Sequence, residues 1–179
     1  MIKSCKEARN MPFYIVIILA LAALDQAVKY WAFTVLRERG TIPLIANVFH
    51  LTYVENRGAA FSLFSWLNFR WLFVVLAAII TVILFLLLYR KSIPTKLGRA
   101  ALVLIASGAI GNAIDRMIRG FVVDLFDFRL IYFPVFNIAD VLICTGAALF
   151  IWYVLFQYQE PEEAIKESVA TESEQEKKE

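Results

Sequence analysis

Phe69-Arg70-Trp71-Leu72-Phe73-Val74-Val75-Leu76-Ala77-Ala78-Ile79-Ile80-Thr81-Val82-Ile83-Leu84-Phe85-Leu86-Leu87-Leu88-Tyr89-Arg90 is the stretch that decides the fold. Between Arg70 and Arg90 no side chain is charged, and Trp71 and Tyr89 stand at the two ends, where amphipathic rings favour a membrane interface. About 20 apolar residues in a helix cover a hydrocarbon core of ~30 Å. The stretch from about Phe69 to Tyr89 is therefore read as a membrane helix. Three further segments are long and apolar enough for the same role: about Pro12 to Ala32, about Gly98 to Met117, and about Asn137 to Tyr158. Tyr30 and Trp31 mark the outer interface of the first. The chain is 60% hydrophobic and only 19% charged, whereas a soluble domain carries about a quarter of its residues as charges. The expected fold class is an all-α integral membrane protein, a four-transmembrane-helix bundle.

Lys and Arg near the helix ends set the orientation. Lys3, Lys6 and Arg9 precede the first helix, and Arg90, Lys91, Lys96 and Arg99 crowd the short connection around Pro94. Both groups fall on one side of an even-numbered bundle, so that side, with both termini, is expected to be cytoplasmic. Arg37, Arg39, Arg57, Arg119 and Arg129 are spread more thinly over the other side. The first helix has the basic start of a signal peptide, but its apolar run is long and Asp25 interrupts the cleavage zone, so a retained anchor is expected. Residues 1–159 are read as the membrane domain, with an outer loop over 33–68. Residues 160–179 form an acidic cytoplasmic tail, expected to be disordered or weakly helical and without a catalytic role. The tail carries eight acids and three lysines, which leaves 15 bases against 8 acids in the remainder. That excess suits contact with anionic membrane lipids, and it serves equally to set topology.

Within the outer loop, Thr41-Ile42-Pro43-Leu44-Ile45 and Val48-Phe49-His50-Leu51-Thr52-Tyr53-Val54 are rich in β-branched and aromatic residues. They predict short strands of a small extracytoplasmic sheet lying on the membrane surface. Several chemistries are excluded. Cys5 and Cys144 are too far apart in topology for a disulfide and offer no metal spacing. His50 is the only histidine and is read as structural. No Ser or Cys has a histidine placed to activate it, and neither a phosphate loop nor an HExxH motif is present.

The remaining chemistry lies in polar residues at or inside the membrane, which are costly there and therefore ask for a partner and a use. Asp25 and Lys29 are four apart on the first helix and can pair, or Asp25 can help position a substrate. On the third helix Gly108, Asn112, Asp115, Arg116 and Arg119 share a face at spacings of three and four. Gly108 permits close helix approach, and Asp115 beside Arg116 reads first as a local charge pair. Asp124 lies in the apolar stretch Phe121-Val122-Val123-Asp124-Leu125-Phe126-Asp127-Phe128, where Asp127 can compete with it. Asn137 is a good N-cap, which puts Asp140 at the third position of the last helix, under the positive end of its dipole. Asp140 alone is explained by capping. If Asp124 and Asp140 converge, they share a proton, and one can activate a water while the other polarises a carbonyl. Asp140 is then expected to be the base and Asp124 the acid. In the outer loop, Arg57 can meet a lipid phosphate or a substrate carbonyl, and Gly58 permits a turn. The alternative reading is a small proton-coupled transporter or channel component relaying protons through Asp25, Asp115 and Asp140. A non-catalytic assembly factor is a third reading.

Five blocks, Leu24-Asp25-Gln26, Val54-Glu55-Asn56-Arg57-Gly58-Ala59-Ala60-Phe61-Ser62, Gly111-Asn112-Ala113-Ile114-Asp115-Arg116, Val122-Val123-Asp124 and Phe136-Asn137-Ile138-Ala139-Asp140, together resemble the bacterial lipoprotein signal peptidase family, signal peptidase II. The resemblance spans about residues 12 to 158. It implies an inner-membrane aspartyl endopeptidase with a catalytic pair at Asp124 and Asp140 and supporting positions at Asp25, Asn56, Gly108, Asn112, Arg116 and Asn137. It further implies a diacylglyceryl-modified prolipoprotein substrate, cut before the lipidated cysteine, and inhibition by the cyclic peptide globomycin. The fold it implies is a four-helix bundle with a β-sheet cradle and a short periplasmic helix. The enzyme is expected to work as a monomer, with no cofactor, no metal and no nucleic acid. Its site should open toward the bilayer near the outer interface, because such a substrate arrives laterally from lipid.

Overall fold

One helix holds the others together. It is the least apolar of the four membrane-length helices, Lys96–Ile118, and it is the most buried. It is built from small residues, with Gly98, Ala101, Ala106, Ser107, Gly108, Ala109 and Gly111 all buried, and small side chains let neighbouring backbones come close. We describe a computed structural model covering residues 11–58, 69–90, 92–131 and 133–158. The elements are α1 (Met11–Trp31), β1 (Thr41–Ile45), β2 (Phe49–Asn56), α2 (Phe69–Arg90), α3 (Lys96–Ile118), β3 (Val122–Phe128) and α4 (Ile138–Phe156). The central helix α3 packs on α1, α2 and α4.

All four expected helices form, and their ends show where local signals act. Thr95 caps α3 by accepting from the Gly98 N–H at 3.1 Å, so the helix starts earlier than the apolar run does. At the other end of the bundle α1 continues past Tyr30 and Trp31. It passes through a π-helical stretch, Ala32–Leu36, and a final turn, Arg37–Arg39, before Gly40 stops it. The extension is buried at Ala32 and Leu36, so it is packing against the sheet, and not lipid, that continues the helix. The outer loop therefore begins at Gly40. Among described residues the expected short periplasmic helix has no counterpart apart from this extension. Residues 59–68 and those from 159 onward, which include the acidic tail 160–179, lie outside the described residues.

The sheet has order β1-β2-β3 and is antiparallel throughout. Both strands expected from the outer loop are present, and the third comes from the segment after α3. Register runs from Phe49 opposite Phe128 to Val54 opposite Asp124 and Asn56 opposite Val122, with a shift between Leu51 and Val54. Ala32, Leu36, Phe121, Val123 and Leu125 form the core between the sheet and the end of α1. A second apolar core, Ile18, Leu84, Leu88, Ile93, Leu102, Val103, Ala106 and Tyr153, fills the opposite half of the bundle. Between the two lies a layer in which Asp25, Lys29, Asp115, Asp124 and Asn137 are almost wholly buried.

Candidate active site

The polar layer is built from the N-terminus of α4 outward. Asn137 precedes α4 in extended conformation and caps it, its Oδ1 accepting from the Asp140 N–H at 3.0 Å. The Asp140 carboxylate returns the bond, Oδ2 accepting from the Asn137 N–H at 3.2 Å. This reciprocal box satisfies two of the donors that a helix start leaves open. Asn137 does more than cap. Its Nδ2 donates to Asp124 Oδ1 at 2.6 Å, so one fully buried residue touches both carboxyl groups.

Asp124 sits on β3, only 1% exposed. Its second oxygen accepts from Asn56 Nδ2 at 2.9 Å. The Asn56 amide is held by the Gly58 N–H, which donates to its Oδ1 at 2.9 Å. Gly58 has φ +81° and lies against the Phe73 ring, a backbone state that side chains with a Cβ resist. Burial pushes the Asp124 carboxyl up to about 6; the hydrogen bonds from Asn137 and Asn56 oppose this, and the nearby Asp140 charge adds to it. Asp124 is thus buried within the protein.

Asp140 is half-buried, and its Oδ1 accepts from Asn112 Nδ2 at 2.8 Å. Gly108, one turn earlier on α3, lets α3 and α4 touch: a Cβ there would stand 2.3 Å from the Ala139 carbonyl oxygen. Arg116 lies over the Phe73 ring at 4.8 Å. Its charge is within electrostatic reach of Asp140, Asp124 and Asp115.

Two expectations need correction. Asp115 does not pair with Arg116, because successive residues on a helix point about 100° apart. It is fully buried and bonds Arg119, one turn on, while its Oδ2 accepts from the Val123 N–H at 3.0 Å and faces Lys29 at 3.3 Å. Asp127 does not compete with Asp124. Three residues apart on a strand, the two point to opposite faces, and Asp127 binds Thr52 at 2.7 Å and Arg129 at 2.9 Å. Arg57 is exposed, tied to Glu55 at 2.9 Å and stacked over Phe121. Asp25 does pair with Lys29, at 2.9 Å. In addition its Oδ1 accepts from the Ala139 N–H at 2.9 Å, which makes it a further cap on α4 supplied from another helix.

Lys29 and Gln26 are the residues that sequence reasoning leaves without a full role. Gln26 Nε2 reaches the Gly111 carbonyl at 3.0 Å and both Asp25 and Asp115 at 3.3 Å. The available signal was the presence of an ammonium and an amide inside a membrane helix.

Fold and site together define a membrane-embedded enzyme of the aspartic type. Its relatives agree. The model of a family described as "Signal peptidase (SPase) II" matches residues 17–156. A lipoprotein signal peptidase from Clostridioides difficile is 51% identical over 144 residues, covering 80% of this chain and 95% of the relative. One from Brevibacillus brevis is 40% identical over 137 residues, covering 76% and 91%. A solved structure titled as a bacterial membrane enzyme superposes with a TM-score of 0.74 at 29% identity, covering 83% of this chain and 96% of that one. The chain belongs to the signal peptidase II family.

Proposed function

We propose that the chain removes signal peptides from diacylglyceryl-modified prolipoproteins, cutting before the lipidated cysteine, with Asp124 and Asp140 as its catalytic pair. The observation that carries the assignment is Asn137, whose side chain and backbone hold both carboxyl groups at once. Two carboxyls this closely linked cannot both ionise freely, so they share one proton. Asp124, buried and with its carboxyl pushed up to about 6, carries that proton. Asp140, at the third position of α4, has two donors on its carboxylate and lies beside the positive end of the helix dipole, which casts it as the base.

The ionised carboxylate of Asp140 takes a proton from a water as its oxygen attacks the scissile carbonyl carbon. Asp124 gives its proton to the carbonyl oxygen, forming a tetrahedral diol. As that diol collapses, Asp124 takes a proton back from one of its hydroxyls, the C–N bond breaks, and the proton on Asp140 goes to the departing amine of the lipidated cysteine. Arg116 is placed to balance the single negative charge the pair retains. Asn56, Gly58, Gly108, Asn112 and Asn137 hold the two groups in place, and Asp25 and Asp115 brace the helix ends that carry them. Arg57 meets a lipid phosphate or substrate carbonyl by exchanging with Glu55.

The protein is an integral membrane protein with four membrane-length helices. The reading extends to the bacterial inner membrane with both termini in the cytoplasm, supported by the positive charge at Lys96 and Arg99 on the end of the bundle away from the sheet. It extends also to a monomer that contacts membrane lipids, and to blockade by globomycin at the paired carboxyls. The test is to incubate purified protein in detergent with a diacylglyceryl-modified prolipoprotein and with its unlipidated form, in the presence of chelator. Cleavage of the lipidated form alone, with a mature product beginning at the modified cysteine, is expected. Failure on the lipidated substrate, or a cut elsewhere, overturns the proposal.

A further inference from the structure

Lys29 is wholly buried in α1, and its ammonium has three acceptors: Asp25 Oδ2 at 2.9 Å, Asp115 Oδ2 at 3.3 Å and Asn112 Oδ1 at 2.8 Å. An ammonium has three N–H bonds, so none is left for a substrate. The first two contacts are explained by charge. Asp25 and Asp115 are the buried acids of this layer that stand outside the catalytic pair, and Lys29 with Arg119 neutralises them. The contact to Asn112 is not explained by charge balance, and it has a chemical consequence. A side-chain amide has an accepting end and a donating end. By seizing the oxygen, Lys29 turns the Asn112 NH2 toward Asp140, to whose Oδ1 it donates at 2.8 Å. Flipped, the amide would set its oxygen against a carboxylate oxygen, a repulsive contact.

We propose that Lys29 is a positioning residue for Asp140, acting through Asn112. The ammonium locks the amide in the orientation that gives Asp140 a second hydrogen-bond donor, which holds that carboxylate at one angle to the attacking water. This rests on the assignment of Asp140 to the catalytic pair. The relay crosses from α1 to α3 to α4, so it also makes the base's geometry depend on how those three helices pack. Gly111 belongs to the same device, since a Cβ on it would stand 2.5 Å from Asp25 Oδ2 and displace the acid that shares the ammonium.

Removing Lys29 alone strands two buried carboxylates, so the primary variant is charge-balanced: Lys29→Met with Asp25→Asn, leaving Asp115 to Arg119. Turnover, KM and detergent melting temperature are measured on a lipidated prolipopeptide, beside Asp140→Asn and Asn112→Ala. The expected result is a fall in kcat of about 10- to 100-fold with KM within twofold. Adding Asn112→Ala to the balanced pair should lower kcat by less than about threefold more, because both changes break one relay. Melting-temperature losses should still add. An unchanged kcat in a folded variant, or losses in kcat that multiply in full, overturns the relay. If the balanced pair does not fold, Asn112→Asp decides: it still accepts from Lys29 but presents no donor to Asp140. It sets carboxylate against carboxylate, so a lower melting temperature is expected together with at least the same roughly 10- to 100-fold loss of kcat, and full activity in the folded protein overturns the proposal. Active Asp140→Asn would sink the catalytic assignment itself, whereas inactive Asp140→Asn beside a fully active relay variant sinks only the role of Lys29.

Discussion

The two halves of the bundle are held by different physics. In the half away from the sheet, Ile18, Leu84, Leu88, Leu102 and Val103 pack apolar surface around α3. In the half beneath the sheet, Asp25, Lys29, Asn112, Asp115, Asn137 and Asp140 hold the same helices by hydrogen bonds with named partners. An apolar core tolerates exchange of like volumes at a cost below ~1.5 kcal/mol. A buried ionic network does not, because deleting one partner leaves an uncompensated charge worth about 3–5 kcal/mol. Stability could have come more simply from apolar packing throughout. The polar half is where Asn137 joins the carboxyl groups of Asp124 and Asp140.

The largest contrast should come from matched truncations on the two sides. Lys29→Met is expected to destabilise by about 3–5 kcal/mol, while Leu102→Met in the apolar half costs less than ~1.5 kcal/mol. Detergent unfolding curves check this, and equal losses would erase the distinction. Next in size is Gly111→Ala. The added methyl meets the Asp25 carboxylate, so a loss of about 1–3 kcal/mol is expected, together with reduced cleavage. The neighbouring Ala113→Gly, which adds nothing, should not reproduce the loss of cleavage.

pH gives a smaller, signed test. The Asp124 carboxyl titrates near 6 when folded and near 4 when unfolded, so in that window the folded state holds the extra proton. Stability is then fully present below pH 4 and falls as pH rises through about 6. Asp124→Asn should flatten that fall in melting temperature across pH 4 to 6.5. A wild-type-minus-variant difference of the opposite sign would contradict the placement of the proton. The smallest effect belongs to Arg57→Ala. Its ion pair with Glu55 is at the surface and worth at most about 1 kcal/mol, so cleavage should stay within about fivefold of wild type. A larger loss would show that Arg57 leaves Glu55 to hold substrate.

What the sequence made legible follows the range of each interaction. Helix lengths, the strands Thr41–Ile45 and Phe49–Asn56, and the Asn137–Asp140 capping box are encoded within a few residues, and reading them needs only periodicity and cap chemistry. Asp25–Lys29 is legible for the same reason. The partners of Lys29 on α3, however, lie more than eighty residues away, and no local rule points to Asn112 or Asp115. Adjacency in the sequence suggests Arg116 as the partner of Asp115, yet helical geometry hands it to Arg119. The continuation of α1 to Arg39 is not legible because Tyr30 and Trp31 signal an interface, and packing against the sheet overrides that signal. Which acids would meet could be suspected from their settings; that Asn137 joins them required the fold.

The most direct test of the central claim is a side-by-side measurement of prolipoprotein cleavage by purified wild type, Asp124→Asn and Asp140→Asn, each shown by its melting profile to be folded. Both variants should lose at least about 100-fold in kcat, with substrate still bound. Near-wild-type turnover by either folded variant would show that the carboxyls bridged by Asn137 are not the pair that hydrolyses the peptide.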